Sequence, residues 1–460
     1  NISKICTNSK NVDEGSLFLA IDGIMQNGHD YINEAIENGA AAIISNGKDI
    51  GKLPVPNLKV SNTRIAASRI AAEFYNYPSK ELKIIGITGT NGKTTTASLI
   101  YAILKQAGFK IAQLGTLGII ADGFDKNKTL TTPDPITLHK ILRDLSDNNF
   151  THVVMEISSH ALDQYRVADI DFDISIFTNL SNEHLDYHND METYFKTKSR
   201  LFRMMPITGT SIIHTDKAYG KKMKLESSAP VVCISMNDKA DVYYQEINFS
   251  LTGINGLIKA GNEKIAYNSK LIGEFNAENI ISAVSAGITL NVSPKDIENA
   301  IGKTNSIEGR MEIFKTRDEK SIVVDYAHTP DSYFKVLSTL KKLLNNQYKM
   351  HVLFGCGGDR DRSKRNEMGK IAAKFAYKIW ITPDNPRHEN IEQINSEITK
   401  GIDRNKFEVF ENRENGLETA IKKMNSGDIL VVFGKGRENF QDINGAKIKY
   451  SDIKIIEKHL

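Results

Sequence analysis

Residues 84–96 read Ile84-Ile85-Gly86-Ile87-Thr88-Gly89-Thr90-Asn91-Gly92-Lys93-Thr94-Thr95-Thr96. A β-branched run passes through a glycine-rich turn into Lys-Thr-Thr. The amphipathic stretch Ala97-Ser98-Leu99-Ile100-Tyr101-Ala102-Ile103-Leu104 follows. Strand, glycine loop and helix in that order make an anion site, because loop N–H groups and the positive helix end converge on one spot. Lys93 adds a cation for the β/γ-phosphates of a nucleotide. Thr94 or Thr95 adds a hydroxyl for the magnesium ion that travels with it. The spacing differs from the common phosphate loop: Ile87, five residues before Gly92, stands where that pattern has glycine.

Outward from this loop, short apolar runs alternate with helical stretches, which predicts an α/β chain. The length of 460 residues exceeds one core and predicts about three domains. The first, residues 1–79, holds the buried runs Leu17-Phe18-Leu19-Ala20-Ile21 and Ala40-Ala41-Ala42-Ile43-Ile44, with helices near 30–38 and 64–76. The second, 80–309, holds the phosphate loop and the runs 153–157 and 174–177, short strands typical of a parallel sheet. The third, 310–460, repeats the pattern with runs at 321–325, 351–354, 378–381 and 429–433. Polar and glycine-rich residues follow these runs directly, where open α/β sheets place ligands.

Composition excludes several classes. Hydrophobic content of 40% and charged content of 25% describe a globular chain. A net charge of +3 gives no electrostatic case for nucleic acid or an anionic membrane surface. No apolar run approaches the roughly 18 residues of a spanning helix. Cys6, Cys233 and Cys356 lack metal-ligand spacing and cannot pair evenly, which suits a reducing compartment. The chain opens on Asn1 rather than Met, the expected sign of an incomplete or trimmed start.

Other clusters carry chemistry. Glu156-Ile157-Ser158-Ser159-His160 follows one run, and Thr178-Asn179-Leu180-Ser181-Asn182-Glu183-His184-Leu185-Asp186-Tyr187-His188 follows the next. Glu156 is a natural magnesium ligand by its hard oxygens. His184 and His188, four apart, have the spacing of half a zinc site, but no further Cys/His cluster or partnered acid completes the set. Lys198 lies in the amphipathic run Tyr194-Phe195-Lys196-Thr197-Lys198-Ser199-Arg200-Leu201-Phe202, where a lysine ordinarily faces water.

The ordered set Thr-Gly-Thr-Asn-Gly-Lys-Thr-Thr (88–95), Glu-Ile-Ser-Ser-His (156–160), His-Leu-Asp-Tyr-His (184–188), Tyr-x-x-x-Lys-x-x-Leu-Phe (194–202), Gly-Glu-Phe-Asn (273–276), Gly-Arg-Met-Glu (309–312) and Asp-Tyr-Ala-His-Thr-Pro (325–330) resembles the Mur ligase family. The resemblance covers essentially the whole chain. It implies a small N-terminal UDP-binding domain, a central ATPase domain with a mostly parallel sheet, and a Rossmann-like C-terminal domain. Thr-Thr-Pro-Asp-Pro (131–135), residues 355–362, Asp-Asn-Pro-Arg (384–387) and Gly-Lys-Gly-Arg-Glu (434–438) resemble members that add the third residue of the peptidoglycan peptide. Such members use ATP to join meso-diaminopimelate to UDP-N-acetylmuramoyl-L-alanyl-D-glutamate through an acyl phosphate. The resemblance further implies a cytoplasmic monomer.

By the same resemblance, Gly89, Thr90, Asn91, Gly92, Lys93, Thr94, Thr95, Asn276, Arg310 and Asp325 bind ATP. Thr94, Glu156, His184 and Lys198 hold two magnesium ions, Lys198 as a carbon dioxide adduct. Lys93, Lys198, Arg310 and His184 are the catalytic set. Thr7, Ser9, Ile24, Met25, Gln26, Thr131, Thr132, Ser158, Gln164 and Arg166 hold the UDP-muramoyl dipeptide. Arg360, Asp384, Asn385, Pro386, Arg387, Gly434 and Glu438 hold diaminopimelate. The chain departs from the family pattern at Asn8, Lys10, Glu183 and Arg437. A lysine-adding ligase is the nearest alternative. A folylpolyglutamate synthase lacks this kind of first domain. A regulatory nucleotide-binding protein would leave Lys198 and the Asp-Asn-Pro-Arg loop without purpose.

Overall fold

The computed structural model describes residues 2–23, 26–47, 50–126, 130–237, 240–250 and 252–460. Ile24 and Met25, expected beside the uridine, lie outside the described residues. The chain forms two compact units. One comprises 1–89, 104–178 and 192–233; the other comprises 90–103, 179–191 and 234–460.

The first unit opens with four parallel strands in sequential order, Lys4–Cys6, Ser16–Leu19, Ala40–Ser45 and Asn57–Lys59. Alternation fills both faces. Cys6, Phe18 and Ile43 join Ile32 and Ala35 on one side, while Ile5, Leu19 and Ile44 meet Ala67 and Ala71 of helix Thr63–Phe74 on the other. The helix expected at 30–38 is a 3-10 turn, Gly28–Tyr31, followed by the short helix Ile32–Glu37. The Asn27 side chain caps the turn by accepting from the His29 N–H.

A second sheet in this unit runs in the order Thr210–His214, Ile174–Phe177, Lys83–Thr88, His152–Glu156 and Ile111–Gly115, all parallel, with Gly118–Ile120 antiparallel at the edge. Lys83–Thr88 is central and covered on both faces, so Ile84, Ile85 and Ile87 are fully buried. A side chain at Gly86 would strike the Phe172 ring at 2.7 Å. Asp173 accepts from the Ile84 N–H at 2.9 Å, which pins the strand's register.

In the second unit the strands Val242–Ser250, Gly253–Ala260 and Glu263–Ser269 form an antiparallel meander. The helix Glu274–Thr289 follows. A six-stranded sheet then runs Glu312–Lys315, Ser321–Asp325, Ile429–Phe433, Met350–Phe354, Lys378–Ile381 and Phe407–Val409. Only its first pair is antiparallel. Val323, Phe354, Ile379 and Val431 pack one face, while Val324, Leu353, Trp380 and Leu430 pack the other. The strands ending at Asp325, Phe354, Ile381 and Phe433 deliver four loops to one sheet edge, the carboxyl edge where such sheets bind ligands. Among the described residues no helix is long and apolar enough to cross a membrane.

Candidate active site

The phosphate loop is built by local rules. Gly92 has φ +88°, and a Cβ there would lie 2.3 Å from Asn279 Oδ1, so only glycine fits. Thr90 N–H donates to the Asn179 carbonyl at 2.9 Å and Asn91 N–H to the Asn179 side chain at 3.0 Å. Lys93 opens helix Lys93–Gln106 and folds back, its Nζ donating to the Thr90 carbonyl at 2.8 Å. Thr94 and Thr95 are buried at the helix start. Arg310 Nη2 donates to Thr94 Oγ1 at 3.3 Å and its guanidinium lies over the Tyr326 ring. The structure therefore brings Lys93, Thr94 and Arg310 to the same helix end.

Asn276 and Asp325 are buried and already engaged. Asn276 donates to the Ile272 carbonyl at 2.8 Å and accepts from Asn279 at 3.1 Å. Asp325 accepts from the Met311 and Ala327 N–H groups, both at 2.8 Å. Burial raises its carboxyl pKa against the opposing pull of Arg310. Sequence reasoning missed Asp331, which accepts from Asn91 at 3.1 Å, from Ser181 at 3.0 Å and from Lys335 at 2.7 Å. It occupies the first turn of helix Pro330–Leu343, capped by Thr329.

His184 has φ 56° and precedes the short helix Leu185–His188. Its Nε2 lies 3.8 Å from Glu183 Oε1, and His328 Nε2 lies 3.3 Å from the same oxygen. Burial alone would raise the Glu183 pKa. The His328 hydrogen bond and the charges of His328, His184 and Lys93 outweigh it and hold the carboxyl well below its ordinary value. His188 is buried. Among the described residues no three His, Cys, Asp or Glu side chains gather as a metal cluster.

In the first unit Glu156 is 1% exposed at its strand end. It accepts from the Thr116 N–H at 2.9 Å and the Thr116 hydroxyl at 3.2 Å. A Cβ on Gly115 would lie 2.2 Å from Glu156 Oε1, so the glycine makes room for the carboxylate. Thr132 Oγ1 donates to the Glu156 carbonyl at 2.9 Å and accepts from the Ser158 N–H at 3.0 Å. Arg166 donates to the Thr132 carbonyl at 2.8 Å and grips Gln164 Oε1. Thr131 joins through Thr116 at 3.4 Å. Thr131, Thr132, Ser158, Gln164 and Arg166 thus form one patch. Thr7 and Asn8 line an open cavity of about 750 Å³ with Phe124 and Lys140. Ser9 is buried and donates to Glu34 at 2.7 Å, and Gln26 is exposed.

Lys198 does not face water. Its side chain is 1% exposed in helix Met191–Arg203. Its Nζ donates to the Gly89 carbonyl at 3.0 Å and sits 4.7 Å from the Tyr194 ring centre.

The loops at the carboxyl edge of the six-stranded sheet gather the remaining residues. Asn385 Nδ2 donates to Glu438 Oε2 at 3.1 Å, and Tyr326 OH donates to Glu438 Oε1 at 3.3 Å. Arg387, at φ 49°, donates from Nη1 to the Gly358 carbonyl at 2.6 Å. A Cβ on Gly357 would lie 3.1 Å from Arg387 Nη1 and 3.7 Å from Arg360 Cγ, so both arginines flank that glycine. Pro386 is buried and Arg360 exposed. Gly434, at φ +102°, leaves space for Asp384, whose Oδ2 would be 2.3 Å from any Cβ there. Burial raises the Asp384 pKa, with Lys435 opposing. Arg437, where the family pattern has histidine, makes a two-pronged ion pair with Glu312.

Comparison with known proteins converges on the same reading. Residues 1–75 match the model of the Mur ligase family, catalytic domain. Residues 87–287 match the Mur ligase middle domain, and residues 309–436 match the Mur ligase, glutamate ligase domain. A UDP-N-acetylmuramoyl-L-alanyl-D-glutamate–2,6-diaminopimelate ligase of Aquifex aeolicus is 38% identical over 460 residues, spanning 100% of this chain and 94% of that protein. The ligase of the same name from Geobacter metallireducens is 37% identical over 476 residues, spanning 98% and 92%. A solved structure of a ligase with this name superposes with a TM-score of 0.70 at 31% identity, covering 100% of this chain and 94% of the other. Full-length identity of this order, on the same fold and with the three domain models in sequence, establishes that the chain belongs to the Mur ligase family.

Proposed function

We propose that this chain is an ATP-dependent, ADP-forming ligase that adds meso-diaminopimelate to UDP-N-acetylmuramoyl-L-alanyl-D-glutamate during peptidoglycan precursor synthesis. The observation that carries the reading is full-length likeness to 2,6-diaminopimelate ligases at 37–38% identity. The placement of Asn385, Glu438 and Gly434 around one loop edge supports it. Forming an acyl phosphate brings two anions together, so cations must converge there. Lys93 and Arg310, held at one helix end, are proposed for that role. Thr131, Thr132, Ser158, Gln164 and Arg166 are proposed for the muramoyl-peptide side, and Thr7 for the uridine side. Arg387 is proposed to take the acceptor's distal carboxylate through two parallel hydrogen bonds. Asn276 and Asp325 are proposed to line the adenosine side by shaping the loop, since their side chains are engaged within the protein.

Oxygen donors dominate the set Thr94, Glu156 and His184, and that chemistry fits magnesium. These residues would hold the ion, which when bound supplies charge neutralisation for the phosphates. Lys198 fits a carbamate by its place: its Nζ is buried beside the Gly89 carbonyl, next to the phosphate loop. Carbon dioxide joining the neutral Nζ with loss of a proton leaves an anion suited to a second ion. A cytoplasmic monomer completes the proposal.

The test is phosphate release from ATP with UDP-muramoyl dipeptide and candidate amino acids. Release that depends on meso-diaminopimelate, with a new amide in the product, is the expected result. Release with L-lysine instead would move the specificity. Nucleotide binding with no acceptor-dependent release would favour a regulatory protein.

A further inference from the structure

Lys435 has no part in the reading above, yet it is 0% exposed at the centre of the amino-acid loops. Its Nζ donates to Asn385 Oδ1 at 2.9 Å and to Glu438 Oε2 at 3.0 Å, and lies 3.8 Å from Asp384 Oδ1. Asn385 closes the ring by donating to Glu438, and its Oδ1 also accepts from the Asp442 N–H at 2.9 Å. The Asp384 carboxylate is half-enclosed against Gly434 and makes its ion pair with Lys435. Two carboxylates and one ammonium leave a single negative charge here. Arg387 approaches a different acid, Asp442, with Nε 3.8 Å from Oδ2.

We propose that Lys435 is a specificity-determining positioning residue, which sets the charge of the acceptor pocket so that it favours a far end bearing both an ammonium and a carboxylate. The inference rests on the reading of Asp384, Asn385, Arg387 and Glu438 as acceptor contacts. One net negative charge is matched by one incoming ammonium. Without Lys435 two partly buried carboxylates face the acceptor. They attract a bare ammonium such as the end of L-lysine and repel a neighbouring carboxylate. The ring through Asn385 and Glu438 also loses its donor, so the side chains that orient the acceptor are released.

The experiment compares Lys435→Met and Lys435→Arg with wild type in phosphate release, using meso-diaminopimelate and L-lysine in parallel. Lys435→Met should raise the KM for meso-diaminopimelate at least about tenfold, keep the KM for ATP within about twofold and lower the preference over L-lysine at least about tenfold. Lys435→Arg, which keeps the charge, should retain most of the preference. A folded Lys435→Met enzyme with unchanged preference, or with both KM values raised in parallel, overturns the inference. If Lys435→Met does not fold, Lys435→Gln, which keeps two N–H donors, takes its place. Failure of both to fold makes Lys435 a packing residue and equally overturns it. Wild type separates the two levels. No diaminopimelate-dependent release in wild type defeats the underlying reading, whereas wild-type preference unaltered by the variants defeats this inference alone.

Discussion

Two regions of the molecule each bury a lysine, and they treat it in opposite ways. In helix Met191–Arg203 of the first unit, Lys198 meets the Gly89 carbonyl and the face of Tyr194. In the loop after strand Ile429–Phe433 of the second, Lys435 meets Glu438, Asn385 and Asp384. An ammonium taken out of water costs several kcal/mol unless anions repay it. The carboxylates around Lys435 repay it. Among the contacts described for Lys198 are a carbonyl and an aromatic ring. The same residue type at the same burial thus sits among acids in one place and, in the reading proposed above, takes up carbon dioxide in the other.

The largest effect tests the first half of that contrast. Lys198→Ala should remain folded by circular dichroism and lose on the order of 10²–10³ in kcat, the usual cost of one preorganised electrostatic group. Acetate should restore part of this by standing in for the carbamate, and should do nothing for Lys435→Ala. Acetate rescue of both, or of neither, would erase the distinction. Arg387→Ala comes next. Breaking a charge-assisted pair costs about 2 kcal/mol or more, seen as a raised KM for meso-diaminopimelate with that for ATP little changed. Equal changes in both would separate Arg387 from the acid-rich loops around Lys435.

A third buried base has no hydrogen-bonded anion among the described residues; Asp169 acts on it only through charge. His139, 0% exposed in helix Pro135–Asp147, finds no hydrogen-bond partner for either ring nitrogen among the described residues. Burial lowers its pKa to about 4. The unfolded chain takes up the proton near the ordinary histidine value while the folded chain resists it, so stability falls as pH drops from about 6.5 to about 4. Denaturant midpoints should show this as roughly 3 kcal/mol, absent in His139→Leu. Smallest is an exposed counterpart, where neighbours matter little. Glu81 accepts two hydrogen bonds from Arg143 and one from Ser146, which lower its pKa to about 2. Its contribution is present above about pH 4.5 and lost towards pH 2. At such a solvated pair it amounts to less than about 1 kcal/mol, so Glu81→Gln should barely flatten the acid limb.

The parallel strands were legible because a strand buried on both faces must be apolar throughout. The runs at 84–87, 153–157, 174–177, 321–325, 378–381 and 429–433 all appear where the pattern puts them, within a residue or two. The meander Val242–Ser250, Gly253–Ala260 and Glu263–Ser269 was not legible. Its residues alternate between covered and exposed, and polar positions such as Gln245, Glu246 and Asn248 interrupt any apolar run. The loop with Lys93 and the strand-end acid Glu156 stood out by residue type. Their supports did not: Thr116, forty residues from Glu156, carries no motif. Lys435 was hidden for the same reason. It stands inside the motif Gly-Lys-Gly-Arg-Glu, but the partner that gives it meaning, Asn385, is fifty residues away. Asp325 shows the converse, a motif residue whose carboxylate the fold spends on the Met311 and Ala327 N–H groups.

Asp331 carries a consequence for how the protein is made. It ties Asn91 and Ser181 together although 240 and 150 residues of chain lie between. Closing loops of that length is slow compared with forming the local strands and helices. During synthesis the phosphate loop emerges early, but the carboxylate that braces it is added only after most of the chain has left the ribosome. The loop around Asn91 is therefore among the last parts of the enzyme to mature, and a chain stopped before residue 331 carries the loop without its brace.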